Sequence, residues 1–232
     1  GEAQWIRKMI DLYHEEAKNN KVRIVNSCGF DSIPSDLGVY FIYKNISEED
    51  LTIKMRVTGA KGTYSGGTYA SMQNIIKEAT KDKDVRKSLT NPYGLNPIGQ
   101  QNGPDKKDLR SVIYDKKTNS WISPFLMAGI NTRIVRRSNA LSNFSYGKDF
   151  KYDEAVMTGK GLRGRLNGII LSIPLMFLAA KPGSFFNKIF NIISPKPGQG
   201  PGKKERENGY FSLRFFVFKK SGDKSIFKVT GD

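Results

Sequence analysis

Apolar side chains near the start of the chain recur at helical spacing. Trp5, Ile6, Met9, Ile10, Tyr13 and Ala17 share one face of residues 2–19, which predicts an amphipathic helix ended by Asn19 and Asn20. Val22–Ser27, with Val22, Ile24 and Val25, predicts a short buried strand. Helix then strand is the rhythm of a parallel α/β sheet. The loop Cys28–Ser35 leaves the carboxyl end of that strand. Pro34 and Asp36 suit the first turn of a helix running to about Tyr43. Leu51–Thr58 alternates and predicts a strand with one buried face. Ser65-Gly66-Gly67-Thr68 opens a helix whose core face is Met72, Ile75, Ile76 and Ala79. Residues 88–110 are rich in Asn, Pro, Gly, Gln and Lys and predict a long surface loop. A strand near Arg110–Tyr114 follows. Leu126–Leu141 predicts a helix with Met127, Ile130, Ile134 and Leu141 on one face, and Phe150–Met157 a strand.

Ile169–Ala180 is almost wholly apolar, interrupted by Ser172 and Pro174, and Phe185–Ile193 adds a second apolar stretch. The first run is too short to cross a bilayer comfortably. Two placements stay open, burial in the core and peripheral contact with a membrane surface, the latter helped by Lys181 and Lys188. Pro195–Lys204 is a Pro/Gly linker. Phe211–Phe218 and Ser225–Thr230 flank Ser221-Gly222-Asp223 and predict a β-hairpin. No internal repeat at solenoid spacing is present.

Composition narrows the function. The 232 residues are 38% hydrophobic, enough for one large core or two small ones. The net charge of +16 would attract phosphate, nucleic acid or anionic lipid. The lysines and arginines are scattered, however, in pairs such as Lys106–Lys107 and Lys203–Lys204. No nucleic-acid motif accompanies them, so a solvated basic surface is expected and nucleic acid is not a partner. Cys28 is the only cysteine, so no internal disulfide forms. No secretion signal follows Gly1, and a reducing, cytoplasmic location is expected. His14 is the only histidine and sits on the first helix as a surface residue. One His and one Cys leave no thiolate/imidazole metal site and no hydrolase triad. Gly161-Leu162-Arg163-Gly164 is not a dinucleotide fingerprint.

Three groups of residues have site chemistry. Ligands of open α/β sheets bind beyond the carboxyl ends of the strands. The loop with Cys28, Gly29, Phe30, Asp31, Ser32, Pro34 and Asp36 sits at such an end and starts a helix, whose free N–H groups can face an anion. The plain alternative is a turn in which Ser32 or Ser35 caps the helix and Asp36 complements its dipole. Cys28 is expected as a small buried packing residue. Ser65, Gly66, Gly67 and Thr68 offer close backbone approach at a second helix start, or an ordinary capped turn. Arg133, Arg136 and Arg137 share a helical face opposite the apolar one. They suit a carboxylate, a phosphopantetheine phosphate or a cofactor phosphate, or else form a solvated basic face.

Val22–Gly38 (VRIVNSCGFDSIPSDLG) resembles the signature stretch of the saccharopine-dehydrogenase-like oxidoreductases, a family that includes the mycobacterial trans-acting enoyl reductases. Ser65–Ser71 resembles the family's Gly-Gly-Thr helix start, and Pro124–Leu141 its Val-x-Arg-Arg-Ser segment. Tyr146-Gly147 with Phe150–Glu154 resembles its Tyr-Gly…Phe-x-Tyr-x-Glu element, and Pro195–Tyr210 its Pro/Gly linker. These run in the family's order over nearly all the chain. The resemblance implies an internal fragment whose Gly-rich nucleotide loop would precede Gly1. It implies an α+β chain from an α/β parent. Residues 1–38 would be the last helix and strand of a Rossmann domain. Residues 39–232 would be a mixed-sheet substrate domain with packed helices. It implies NADP or NAD, bound mainly by the missing domain. The hydride would go to an enoyl or carbonyl group of a lipid-type acyl intermediate. Asp31, Ser32 and Asp36 would then be catalytic and lie near the nicotinamide, with Tyr146, Tyr152 and Glu154 as proton donors or ribose contacts. A homodimer is a further expectation. The competing reading is a non-catalytic, lipid-associated protein that keeps the fold.

Overall fold

The computed structural model describes residues 2–231 apart from positions 64, 179, 181, 182, 186, 189–191 and 193. In chain order its elements are helices α1 (Ala3–Asn19) and α2 (Ile33–Asn45), strand β1 (Thr52–Lys61), and helices α3 (Gly66–Lys81) and α4 (Lys83–Thr90). Strands β2 (Ile113–Asp115) and β3 (Ser120–Ser123), helix α5 (Ala128–Leu141), strand β4 (Lys151–Gly159) and helix α6 (Gly161–Leu178) follow. A short helix α7 (Lys203–Glu207) precedes the hairpin of β5 (Tyr210–Phe218) and β6 (Lys224–Gly231).

Six strands form one mixed sheet in the order β2-β3-β4-β1-β5-β6. β1 runs parallel to β4, and the remaining pairs are antiparallel. A parallel pair needs a long crossover, and the chain between β1 and β4 supplies it with α3, α4 and α5. One sheet face carries Ile53, Met55, Val57, Tyr152, Leu213, Phe215 and Val217, which pack on Val39 and Ile42 of α2 as the main core. Gly38 lets that helix approach: a Cβ there would stand 2.5 Å from the Phe215 ring. A second core joins Ala3 and Ile6 of α1 to Leu95 and to Met127 and Ile130 at the start of α5. The class is α+β, as expected.

Several expectations are corrected. Val22–Ser27 forms no strand among the described residues, and Val22, Ile24 and Val25 are exposed, Val25 by 74%. A strand requires a neighbour to complete its hydrogen bonds, and no described strand flanks this segment. The loop at 88–110 is irregular beyond α4, as composition suggests, but it is not all surface. Tyr93, Leu95 and Asn96 are buried, because the carbonyls of Leu89, Pro92, Leu95 and Asn96 accept hydrogen bonds from Arg133, Arg136, Arg137 and Arg7. The strand expected at Arg110–Tyr114 begins at Ile113, and β3 follows it unforeseen. β1 is covered on both faces at Arg56, which is 0% exposed and pairs with Asp115 and Asp153. The core face expected for α3 is only half-buried, for it borders a cavity. Leu141 is exposed rather than packed. The hairpin stands as expected, with Phe215 opposite Phe227 and Gly222 turning at φ +92°. The segment Ile169–Ala180 is helical through Leu178 and mostly exposed, with Leu178 buried at its end. Position 181 and most of the second apolar stretch (186, 189–191, 193) lie outside the described residues.

Candidate active site

A chain of buried polar side chains runs from the start of α2 through α5 to β4. Ser32 donates its hydroxyl to Oδ1 of Asn131 at 2.9 Å, and Asn131 donates from Nδ2 to Glu154 at 3.1 Å. Tyr152 donates its hydroxyl to the other Glu154 oxygen at 2.8 Å. Ser35 also hydrogen-bonds this carboxyl. Each of the five is buried, and Glu154 is 3% exposed. Burial pushes the Glu154 carboxyl up to about 7, against the stabilising hydrogen bonds from Ser35, Tyr152 and Asn131. Burial and the neighbouring Glu154 charge raise the Tyr152 hydroxyl well above the ordinary phenol range. A carboxyl group that exchanges its proton near neutrality, inside a bonded network, is a proton reservoir.

Both ends of the network explain themselves locally. β4 alternates, so Tyr152 and Glu154 point to the same face, and Glu154 stands opposite Met55 of the core. Ser32 occupies the cap position of α2, yet its side chain makes no cap bond and reaches Asn131 instead. Asn131 had no place among the sequence candidates. The available signal was its spacing: it lies three residues after Ala128 and four before Val135, on a buried face of α5.

Two hollows meet at the α2 loop. An apolar cavity of about 400 Å³ is walled by Met72, Ile75 and Ile76 of α3 with Leu126, Met127 and Ile130, and it takes in Asp31, Gly67 and Thr68. A cleft of about 700 Å³ lies between α1, residues 22–28 and α5, and it takes in Cys28, Ser32, Asp36 and Arg137. The sequence candidates of the loop are thus divided between the two. Asp31 is exposed, and it faces the apolar cavity together with the glycine pair. Asp36 is half-buried and its carboxyl is raised by burial, against a hydrogen bond from Ser138. Cys28 is exposed, contrary to the packing role expected of it, because the segment before it has no strand to lie under. Gly29 and Phe30 are exposed, with Phe30 edge-on to Phe211 at 4.7 Å. Pro34 is half-buried in the first turn of α2.

The other candidates have partners within the fold. Ser65 caps α3 by accepting from the Thr68 amide at 3.3 Å. The close approach that Gly66 permits is to the chain itself: a Cβ would fall 1.8 Å from the Lys196 carbonyl oxygen. The arginines do not form a solvated face. Arg133 is buried against Asp108 and the carbonyls of Leu89 and Gly129. Arg136 is buried and donates to Asp105 at 2.6 Å, to the Pro92 carbonyl at 3.0 Å and to the Tyr152 carbonyl at 2.8 Å. Arg137 donates to the Leu95 carbonyl. Tyr146 lies in the main core, stacked on Tyr43 with ring centroids 4.5 Å apart. His14 is exposed, as expected. No group of His, Cys, Asp or Glu suited to a metal ion occurs among the described residues.

A third hollow of about 550 Å³ is charged, with Lys54, Arg56, Asp115 and Asp153 on its floor. Burial disfavours an ionised Asp115. The hydrogen bond from Arg56 and the charges of Lys54 and Arg56 outweigh it and hold the carboxyl below its usual range.

An apolar cavity with Asp31 at its edge, on an α+β scaffold, has the character of a small-molecule site, while Tyr152 and Glu154 of the buried network border the charged hollow instead. The chain is similar over its whole length to proteins of one name. It is 34% identical over 252 aligned positions to a Mycobacterium tuberculosis (strain H37Rv) protein named provisionally as a trans-acting enoyl reductase, with 100% of this chain and 59% of that protein aligned. It is 31% identical over 239 positions to a trans-acting enoyl reductase of Mycobacterium bovis (strain BCG / Pasteur 1173P2), with 96% of this chain and 57% of that protein aligned. The corresponding Mycobacterium ulcerans (strain Agy99) protein is 30% identical, with 97% and 58% aligned. The chain therefore spans less than two thirds of the length of these relatives. No protein-family profile and no solved structure matches it.

Proposed function

We propose that this chain forms the substrate part of a saccharopine-dehydrogenase-like, nicotinamide-dependent enoyl reductase that acts on a lipid-type acyl intermediate. The observation that carries the reading is the apolar cavity with Asp31 at its edge, in a chain similar throughout to proteins named enoyl reductase. The acyl chain lies along Met72, Ile76 and Ile130. Its polar end meets Asp31 and the α3 start at Gly67 and Thr68. Burying methylenes there contributes about 0.8 kcal/mol each.

The residues of this chain do not fit a whole dinucleotide. Gly66 is filled by the Lys196 carbonyl, and Arg133 and Arg136 are bound to internal partners. Pyrophosphate therefore has no cradle here among the described residues. The cofactor, NADP or NAD, is held by a nucleotide domain in the part of the relatives' length that this chain does not span. The exposed segment 22–28 and the cleft with Cys28, Ser32 and Asp36 face that domain. The Ser32–Asn131–Glu154–Tyr152 network holds a proton beneath the loop and fixes its position.

The test is oxidation of NADPH and of NADH by the protein at the length of its relatives, offered enoyl thioesters of increasing chain length. Oxidation that grows more efficient with chain length is expected. Failure to bind either nucleotide would transfer the argument to a non-catalytic, lipid-associated protein of the same fold.

A further inference from the structure

Helix α6 meets the sheet through glycine. A Cβ on Gly164 would stand 2.3 Å from the Gly159 carbonyl oxygen, and one on Gly168 would stand 2.8 Å from the Val112 side chain. Ser172 and Ser123 join their hydroxyls at 3.0 Å. The helix therefore lies close against β3 and β4 and turns its large side chains outward. Successive residues rotate by about 100°. Leu162, Leu166, Ile169, Ile170, Ile173 and Met176 fall on one stripe, opposite the glycines. All six are exposed, from 43% at Ile173 to 70% at Leu162. At 18 residues the helix is about 27 Å long. A contiguous apolar stripe of this length marks a surface that something covers.

Charge indicates what covers it. Arg163 and Arg165 fall on opposite margins of the stripe at its first turn, Arg165 with its guanidinium 5.4 Å from the Trp121 ring centroid, Lys160 precedes it, and α6 contains no Asp or Glu. A second copy of this +16 chain would bring like net charge against like net charge. Aliphatic side chains flanked by guanidinium groups match the boundary between acyl chains and anionic headgroups, where the stems of the arginines stay apolar and their heads reach phosphate. No described helix is long and apolar enough to cross a membrane, which suits a helix lying in the surface plane.

We propose that α6 docks this protein on an anionic lipid surface, with the Leu162–Met176 stripe in the acyl boundary and Arg163 and Arg165 at the phosphates. Leu178, at the end of the same helix, lines the apolar cavity. The docking does not depend on the reductase reading.

The test is flotation of the full-length protein with vesicles of phosphatidylcholine alone and of phosphatidylcholine with phosphatidylserine. The protein should float with the anionic vesicles. The triple variant Leu166→Gln, Ile170→Gln, Ile173→Gln should remain at the bottom with an unchanged circular dichroism spectrum. Arg163→Glu with Arg165→Glu should lose flotation as well. An environment-sensitive dye on Ile170→Cys, in a Cys28→Ser background, should shift to the blue with anionic vesicles. Absence of wild-type flotation, equal flotation of the triple variant or an unshifted dye overturns the proposal. So does a lipid-free dimer that the triple variant dissociates, which would assign the stripe to a second copy.

Discussion

Tyr152 donates its hydroxyl to Glu154 at 2.8 Å, and neither side chain reaches solvent. This pair makes the stability of the protein depend on pH in an unusual direction. In the folded chain Glu154 keeps its proton up to about pH 7. In the unfolded chain it loses the proton in the ordinary carboxylate range. Between those limits the folded state binds more protons, so stability is largest at the acid end and falls as pH rises through 7. The loss is on the order of 3 kcal/mol. Urea unfolding at pH 5 and pH 8 measures it, and Glu154→Gln should flatten the difference. Parallel pH profiles of the variant and the parent would refute this account.

Arg136 and Asp105 form a buried pair, and Asp105 also accepts from the Tyr152 amide. Removing one partner leaves the other charged and unpaired. Arg136→Ala and Asp105→Ala should each destabilise by about 3–5 kcal/mol. The double variant should lose less than the sum, because the second removal relieves the charge stranded by the first. Additive losses in denaturant melts would mean that the two groups do not depend on each other.

Asp31 faces the apolar cavity and makes no contribution to the core. Asp31→Asn should leave the melting temperature unchanged. It should lower turnover of the full-length reductase about a hundredfold or more, the lower end of what a positioned acid or base contributes being about 10²-fold. Unchanged turnover would remove Asp31 from the site.

Ile76 lines the same cavity. Ile76→Trp should fill part of it and reduce kcat/KM for long enoyl chains more than for short ones. An equal reduction for all chain lengths would place the acyl group elsewhere.

Gly66 packs on the backbone of Lys196. Gly66→Ala should destabilise by about 1–3 kcal/mol, as overpacking does. A neutral effect on the melting temperature would show that the linker turn is free to move away.

Much of the fold was legible in the sequence because its elements carry local signals. α1, α5 and the final hairpin follow from spacing within each segment, and β1 from its alternation. Val22–Ser27 has the composition of a strand, but pairing is not local. Without a described neighbour strand, its valines and isoleucine stand in solvent.

The candidate site divides in the same way. Residue types in their local setting drew attention to Asp31 and the glycine pair, and the family resemblance to Tyr152 and Glu154. Nothing in one sequence joins Ser32 to Asn131 across 99 positions, or Arg136 to Asp105 across 31. The arginines read as a basic face because a helix wheel registers spacing and not what lies against it. The tertiary structure set Asp105, Asp108 and three backbone carbonyls of the 88–110 loop around them. The sequence by itself determined the helices, the alternating strands, the glycines and the charge, because these depend on near neighbours. Only the tertiary structure decided which polar groups are buried, which carboxyl holds its proton near neutrality and which apolar helix faces outward. Burial, ion pairing and exposure are properties of the surroundings that distant segments create.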